Sequence, residues 1–247
     1  MSATAFSFEP IFLALAVAAG AFYWRAARRE QVPAWRAAAF GSGLFLIAAS
    51  LNSPLETIAS KYLLLMHLLQ NGLIADVAPL LVVLGLTPRM REALARRGAG
   101  RLRSRWILPL WLGAWYLTHI GVFYNWALRT GWGLNIEHGI LIAVGLLFWW
   151  PIVSGRLTPP AGLGYLAVAF IGSSFLGLAY IFSSSPFYSF YEHAPRLWGL
   201  SATRDQNLGG ILMNGEQTLV FLLAIGWFVV RLLDEEHARK PVSLSDS

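Results

Sequence analysis

Several polar side chains interrupt a long apolar stretch in the first third of the chain. The segment KYLLLMHLLQNGLIADVAP begins at Lys61 and places His67, Gln70 and Asn71 at positions i, i+3 and i+4, on one face of an α-helix. Asp76 follows nine residues after His67, and at about 100° per residue it points to the opposite face. Such groups are costly in an apolar environment, so we treat them as functional candidates that belong to two different sites.

The polar groups of two later apolar stretches suit a soft metal ion. His138 follows Glu137 at the start of one stretch, and Met213 lies in the last one at a depth similar to that of His67. The chain has no cysteine, so no thiolate can contribute to a metal site. Two imidazoles and a thioether form a ligand set that suits copper, especially Cu(I). We therefore predict a copper site formed by His67, His138 and Met213, in which Glu137 or Gln70 orients a ring.

Each of these residues also has a purely structural interpretation. A histidine such as His67 often hydrogen-bonds to a neighbouring transmembrane helix, and His138 can lie at the membrane interface. Methionine most often fills space in an apolar core, which is the alternative for Met213. His119 and His193 are expected to be solvated loop residues rather than ligands.

Further polar residues are predicted to support the site. They are Gln70, Asn71, Glu137, Asp205 and Gln206. Asp205 is equally suited to cap the N-terminus of the last helix.

Two other functions remain open at this point. Asp76, Asn214 and Glu216 are candidates to line a path for protons or a small solute, as in a transporter. Alternatively, His67 and His138 suit the two axial positions of a haem b. A retinal protein is excluded because the two lysines, Lys61 and Lys240, lie outside the last apolar stretch. The sequence has no phosphate-binding or dinucleotide-binding glycine motif, and we do not expect an enzyme.

The composition defines an integral membrane protein of a single domain spanning residues 1–247. Of the 247 residues, 56% are hydrophobic and only 13% are charged, about half the charge of a soluble domain. Seven apolar stretches are long enough to suggest an all-α protein with seven transmembrane helices. They are residues 8–24, 35–51, 62–86, 106–119, 138–153, 162–182 and 208–232.

Positive charge falls mostly in alternate loops, which predicts the orientation of the chain. On one side the basic residues are Arg25, Arg28, Arg29, Arg36, Arg89, Arg91, Arg96, Arg97, Arg101, Arg103, Arg105, Arg156, Arg231, Arg239 and Lys240. On the other side they are Lys61, Arg129, Arg196 and Arg204. Because cytoplasmic loops are rich in Lys and Arg, the N-terminus is predicted outside and the C-terminus in the cytoplasm.

The same arginines explain the net charge of +6 without a nucleic-acid partner. They are expected to face anionic lipid headgroups, with the Arg-rich stretch 89–105 acting as a topology anchor or a short surface helix. On the opposite side, the aromatic segments Phe123–Trp132 and Phe187–Tyr191 are expected to contact a partner or to lie at the membrane interface.

The sequence resembles the polytopic CtaG-type cytochrome c oxidase assembly factors of bacteria. The resemblance extends from about Asn52 to Glu236 and depends on three ordered segments. They are NSPLETIASKYLLLMHLLQNGLIADVAPLLVVLGLTP, IEHGILIAVGLLFWWPIV and GLSATRDQNLGGILM. It implies a multi-pass protein of the bacterial inner membrane that helps to mature a haem–copper oxidase by delivering copper from the outer side to an oxidase subunit.

The chain departs from the pattern of the family at three positions. The usual His-Met-x-Gln-His of the third span is kept at His67 and Gln70, whereas Leu68 and Asn71 replace the Met and the second His. Asn214 replaces an aromatic residue in the last span. Leu68 and Asn71 remove two copper-binding side chains, so the resemblance predicts weaker copper binding or another task on the same scaffold.

Overall fold

The structure is a computed structural model that describes residues 2–96 and 102–239, and this part of the chain is helical with no strand. The helices are α1 (Pro10–Glu30), α2 (Ala34–Leu51), α3 (Pro54–Lys61), α4 (Leu64–Gly72), α5 (Ala78–Gly85), α6 (Pro88–Arg96), α7 (Ser104–His119), α8 (Gly121–Arg129), α9 (Gly131–Val153), α10 (Pro159–Phe182), α11 (Ser189–His193) and α12 (Ala202–Arg239). A π-helical turn, Leu73–Val77, joins α4 to α5. The all-α prediction is therefore confirmed.

Six of the described helical segments are long and apolar enough to cross a membrane. A seventh span exists only if α7 and α8 are counted together, since the chain bends by 64° between them. Helix α7 has 16 residues, about 24 Å, which is shorter than the hydrocarbon core of about 30 Å. It ends because Ile120 adopts an extended conformation with φ −68° and ψ 130°. The structure thus supports six or seven spans where the sequence predicts seven.

The predicted third span is interrupted twice. Leu63 is extended, which separates α3 from α4. Further along, Ala78 donates its N–H to the Leu73 carbonyl, five residues back, and closes the π-helical turn. Pro79 follows immediately and has no N–H to donate, so the wider turn accommodates it within a helix that continues. Asp76 lies within this turn.

Two helices extend well beyond their predicted spans. Helix α9 begins at Gly131, so the predicted start at residue 138 lies two turns inside it. Helix α12 begins at Ala202 and continues to Arg239, beyond both ends of the predicted 208–232. The predicted spans begin after polar residues such as Glu137 and Asp205, on the expectation that such residues are exposed to water. In the structure both side chains are buried by neighbouring helices, and the helices include them.

Small residues allow close contact around the π-helical turn. A Cβ atom added to Gly145 of α9 would lie 2.1 Å from the Ala75 carbonyl oxygen. A Cβ atom on Gly43 of α2 would lie 2.8 Å from the Ala78 carbonyl oxygen. Helices α2 and α9 therefore approach the broken span at backbone distance, as transmembrane helices do where glycine lines the interface.

The bundle has two ends with different chemistry. At the first, which we call the His67 end, α2 finishes, α4 and α12 begin, and the Asn52 side chain accepts a hydrogen bond from the Glu9 N–H at 2.7 Å. At the second, the Arg36 end, the Arg36 guanidinium donates to the Leu86 carbonyl at 3.3 Å. The arginines of α1 and α6 belong to the Arg36 end, whereas Arg97, Arg101 and Lys240 lie outside the described residues.

Candidate functional site: a buried histidine–carboxylate cluster

His67 lies near the start of α4 and is completely buried. Its Nδ1 atom is 2.8 Å from the Tyr191 hydroxyl, and its Nε2 atom is 3.3 Å from Glu137 Oε1. Asn71, one turn further along α4, donates its Nδ2–H to the same Glu137 oxygen at 3.2 Å. The predicted common face of His67 and Asn71 is therefore directed at one carboxylate of α9.

The hydroxyl of Tyr191 determines which nitrogen of His67 carries the proton. This hydroxyl hydrogen-bonds to the Ala59 carbonyl, which can only accept, so its single hydrogen points there. The hydroxyl oxygen then accepts from His67 Nδ1–H, and the lone pair of Nε2 in the neutral ring faces Glu137 Oε1. A lone pair and a carboxylate oxygen repel each other at this distance, so the contact requires either a second proton on Nε2, which makes an ion pair with Glu137, or a bound cation.

His138 completes the cluster from the same turn of α9 as Glu137. Its ring centroid lies 6.1 Å from that of His67 and 6.2 Å from that of Phe12. Neither His138 Nε2 nor Glu137 Oε2 has a hydrogen-bond partner, although both side chains are buried. Buried polar atoms are nearly always satisfied in native proteins, so these two atoms are candidates to contact a bound group.

Four tyrosines enclose the cluster on the side of α8, α10 and α11. Tyr124 stacks on Tyr188 with a centroid distance of 4.1 Å and lies 4.9 Å from the His67 ring. Tyr180 hydrogen-bonds to Tyr188, and Tyr191 binds His67 directly. The expectation that Phe187–Tyr191 forms an interfacial or partner surface is thus wrong for Tyr188 and Tyr191, which are buried. From the sequence alone, tyrosines between two apolar stretches look like the aromatic residues that lie at the membrane–water interface.

Gln70 does not bind the histidines. Its Nε2 atom donates to Glu56 Oε2 at 2.5 Å and to the Ser50 carbonyl at 2.7 Å. Glu56 of α3 was not among the sequence candidates, because it lies outside the apolar stretches, yet it is only 3% exposed. Burial raises the pKa of Glu56 to about 7, and the hydrogen bond from Gln70 opposes part of that shift.

The protonation of Glu56 predicts a pH-dependent stability. Between about pH 4.5 and 7 the carboxyl group keeps its proton in the folded state and loses it on unfolding. The free energy of unfolding should therefore fall by up to about 3 kcal/mol as the pH rises through this range, and stay constant above it. In chemical denaturation of the protein in detergent, Glu56→Gln should remove this part of the dependence of the unfolding free energy on pH. Glu192→Gln, at an exposed position of α11, should keep the wild-type slope. Equal slopes for Glu56→Gln and wild type would refute the assignment.

Asp205 and Gln206 organise the backbone around the site instead of contacting the histidines. The Asp205 carboxylate accepts hydrogen bonds at 2.9 Å from the N–H groups of both Leu64 and Leu65, at the start of α4. Gln206 accepts from the Phe187 N–H at 2.7 Å and donates to the Ser185 carbonyl at 3.1 Å. Asp205 is thus a cap, but of α4 and not of its own helix.

Met213 is buried in the apolar cluster that includes Leu68, Tyr124 and Tyr191. Within residues 2–96 and 102–239, no group of three His, Asp or Glu side chains is arranged to hold a metal ion. A metal site at His67 and His138 therefore depends on a ligand of another kind, such as the Met213 thioether, and this ligand set stays a prediction.

One of the two histidines assigned to solvent is buried. His119, at the end of α7, is 5% exposed, its Nδ1 atom is 2.7 Å from the Trp115 carbonyl oxygen, and its ring lies 5.9 Å from Tyr124. Its Nε2 atom has no hydrogen-bond partner. The bend between α7 and α8 brings Tyr124 of α8 against this residue, which span prediction does not anticipate. His193 is exposed, as predicted.

The residues proposed for a proton or solute path lie apart from the histidines. Gln217 donates its Nε2–H to Asp76 Oδ2 at 3.4 Å. The Glu216 carboxylate lies against Gly72, and the Asn214 side chain lies against Gly177. The prediction that His67 and Asp76 point in different directions agrees with these separate partners.

The fold and the site define a polytopic helical membrane protein with an enclosed histidine–carboxylate cluster near one end of the bundle. The sequence matches the family model described as "Cytochrome c oxidase caa3 assembly factor (Caa3_CtaG)" over residues 18–235, and the chain belongs to this family. The resemblance seen in the three sequence segments is thereby confirmed. No curated protein matches the chain significantly, and neither does any solved structure.

Proposed function

We propose that this cytochrome c oxidase assembly factor binds a copper ion transiently in the bacterial inner membrane and delivers it to an oxidase subunit. The observation that carries the proposal is the geometry of His67, whose Nε2 lone pair faces the Glu137 carboxylate at 3.3 Å. A bound cation removes the repulsion between these two atoms. The protein acts on its partner without catalysing a reaction of its own.

The donor atoms fit copper better than they fit a hard cation. Imidazole nitrogens bind first-row metals at about 2.0–2.1 Å, so the centroids of two rings that share one ion lie roughly 5–6 Å apart. The His67 and His138 centroids are 6.1 Å apart, and Nε2 of His138 is unpartnered. Met213 would supply the soft third ligand, and the Tyr191 hydroxyl, which accepts from Nδ1, would hold the His67 ring in place.

The basic residues of the Arg36 end support an orientation with the N-terminus outside, which directs the His67 end away from the cytoplasm. A cavity of about 620 Å³ at the His67 end is lined by Glu9, Glu56, Lys61 and Arg129, among others. Glu56 is hydrogen-bonded to Gln70, which precedes Asn71 of the cluster. In this proposal, the ion enters through this cavity from the outer side.

The proposal is tested in a strain that lacks this gene, by measuring the copper-to-haem ratio of the purified oxidase. The wild-type gene should restore a full ratio, whereas His138→Ala should leave it at the level of the deletion strain. His193→Ala removes an exposed histidine at the same end and should restore the ratio fully.

A binding experiment separates copper transfer from other assembly roles. In the purified, folded protein, Cu(I) affinity should fall at least 10–100-fold, roughly the range for loss of supporting groups, when His67→Ala and His138→Ala are combined. Unchanged affinity in this double variant, or a normal copper-to-haem ratio in the deletion strain, would refute copper delivery.

A further inference from the structure

A second set of buried polar atoms lies in the middle of the bundle and is not used by the copper proposal. Asp76 Oδ1, both carboxylate oxygens of Glu216, and Gln217 Oε1 have no hydrogen-bond partner. Asp76 is fully buried and Gln217 is 1% exposed. When both carboxylates are ionised, all of these atoms are acceptors, and the Gln217 side-chain N–H is the donor that reaches them.

Two helices bring these oxygens together. Gln217 of α12 reaches Asp76 of the π-helical turn, with 3.4 Å between Nε2 and Oδ2, so its side-chain amide is directed into the cluster. The neighbouring Glu216 lies over Gly72, where an added Cβ would be 2.9 Å from Oε2. Since Gly72 precedes Asp76 by four residues, the two carboxylates face the same side of the broken span on adjacent turns.

The surrounding helices offer no positive counter-charge. Helices α5 and α10 contain no charged residue, and the charged or titratable groups of α2, α4 and α9 are Arg36, His67, Glu137 and His138. Arg36 binds the Leu86 carbonyl at the Arg36 end, and His67 is paired with Glu137. Among the described residues, no ion pair joins Asp76 or Glu216 to a basic side chain.

We propose that Asp76 and Glu216 form an intramembrane proton-binding site that holds at least one exchangeable proton at neutral pH. Two neighbouring carboxylates without a counter-cation cannot both stay ionised in an apolar environment. A proton taken from water turns one acceptor into an O–H donor, and the unpaired oxygen of Gln217 or of the other carboxylate accepts it. In alkaline solution, hydroxide takes the proton to form water, and both carboxylates are then charged. The proposal is independent of copper binding.

Infrared difference spectroscopy of the purified protein in lipid nanodiscs tests this site through the C=O stretch of protonated carboxylic acids. The Glu56→Gln background removes a buried acid whose pKa burial raises to about 7. In this background a protonated-acid band should be present at pH 7 and disappear on alkaline titration. Asp76→Asn or Glu216→Gln should remove or shift it. Asp234→Asn, at an exposed position of α12, should leave it unchanged.

Further variants and conditions make the outcome decisive. Gly72→Ala introduces a Cβ against Glu216 and should shift the band without removing it. A band that is absent at pH 7, or that is unchanged in both Asp76→Asn and Glu216→Gln, would overturn the proposal. Loss of the band at constant pH when Na⁺ replaces choline would also overturn it, in favour of a metal-cation site. If Glu216→Gln does not fold, the proposal is still tested by the alkaline titration of the Glu56→Gln protein and by the band of the nearly isosteric Asp76→Asn variant.

Discussion

Replacing Glu137 by leucine is expected to lower the free energy of unfolding by roughly 2–5 kcal/mol. Glu137 Oε1 lies 3.3 Å from His67 Nε2 and accepts from Asn71 Nδ2 at 3.2 Å, and all three side chains are buried. Leucine offers no acceptor, so Asn71 loses its partner and a protonated His67 loses its counter-charge. Each stranded buried group costs about 1–3 kcal/mol. The measurement is unfolding in detergent, followed by tryptophan fluorescence.

A conservative variant separates the lost hydrogen bond from the lost side-chain volume. Glu137→Gln keeps an oxygen that can accept from Asn71, and it should lose less than half as much stability as Glu137→Leu. Glu192→Gln removes a carboxylate from an exposed position of α11 and should match the wild type. If the unfolding transition of Glu137→Leu has the wild-type midpoint, the contacts of Glu137 with His67 and Asn71 do not stabilise the fold.

Replacing Gly145 by alanine is expected to cost about 3 kcal/mol or more. The new Cβ atom would lie 2.1 Å from the Ala75 carbonyl oxygen and 2.9 Å from Pro79 Cγ. Both obstacles belong to the π-helical turn and the proline beside it, so no flexible side chain can move aside. Overpacking of this kind typically costs 1–3 kcal/mol, and more where backbone must move. The same unfolding measurement applies.

Gly139 of the same helix provides the matched control. An added Cβ there meets no atom within 4 Å, so Gly139→Ala should be neutral or stabilise α9 by up to about 1 kcal/mol. Equal stability of Gly145→Ala and Gly139→Ala would mean that α9 does not approach the π-helical turn at backbone distance.

Asn71, one of the positions where this chain departs from the family pattern, makes a specific contact in the structure. Asn71 donates a hydrogen bond to Glu137, and an amide nitrogen is a poor metal ligand. The residue therefore holds the carboxylate that faces His67. Under the copper proposal, Asn71 would not compete for the ion, and the site would bind copper weakly enough to release it.

The amino-acid sequence by itself determined that this protein is a bundle of transmembrane helices. In an apolar stretch of about 20 residues every backbone N–H and C=O must be satisfied internally, and a helix does this within the segment. The same reasoning identified His67, Glu137, His138 and Asp76, because polar groups in such stretches are costly and therefore conspicuous. The three ordered segments indicated the family, which the match over residues 18–235 establishes.

Only the tertiary structure decided which of these polar groups meet. His67 contacts Tyr191, 124 residues further along the chain, and Asp205 caps a helix that begins 141 residues earlier. Such pairings depend on how each helix is rotated and tilted against its neighbours, which local periodicity does not encode. For the same reason, Gln70 shares a predicted face with His67 yet binds Glu56, and His119 is buried by a bend that no apolar stretch reveals.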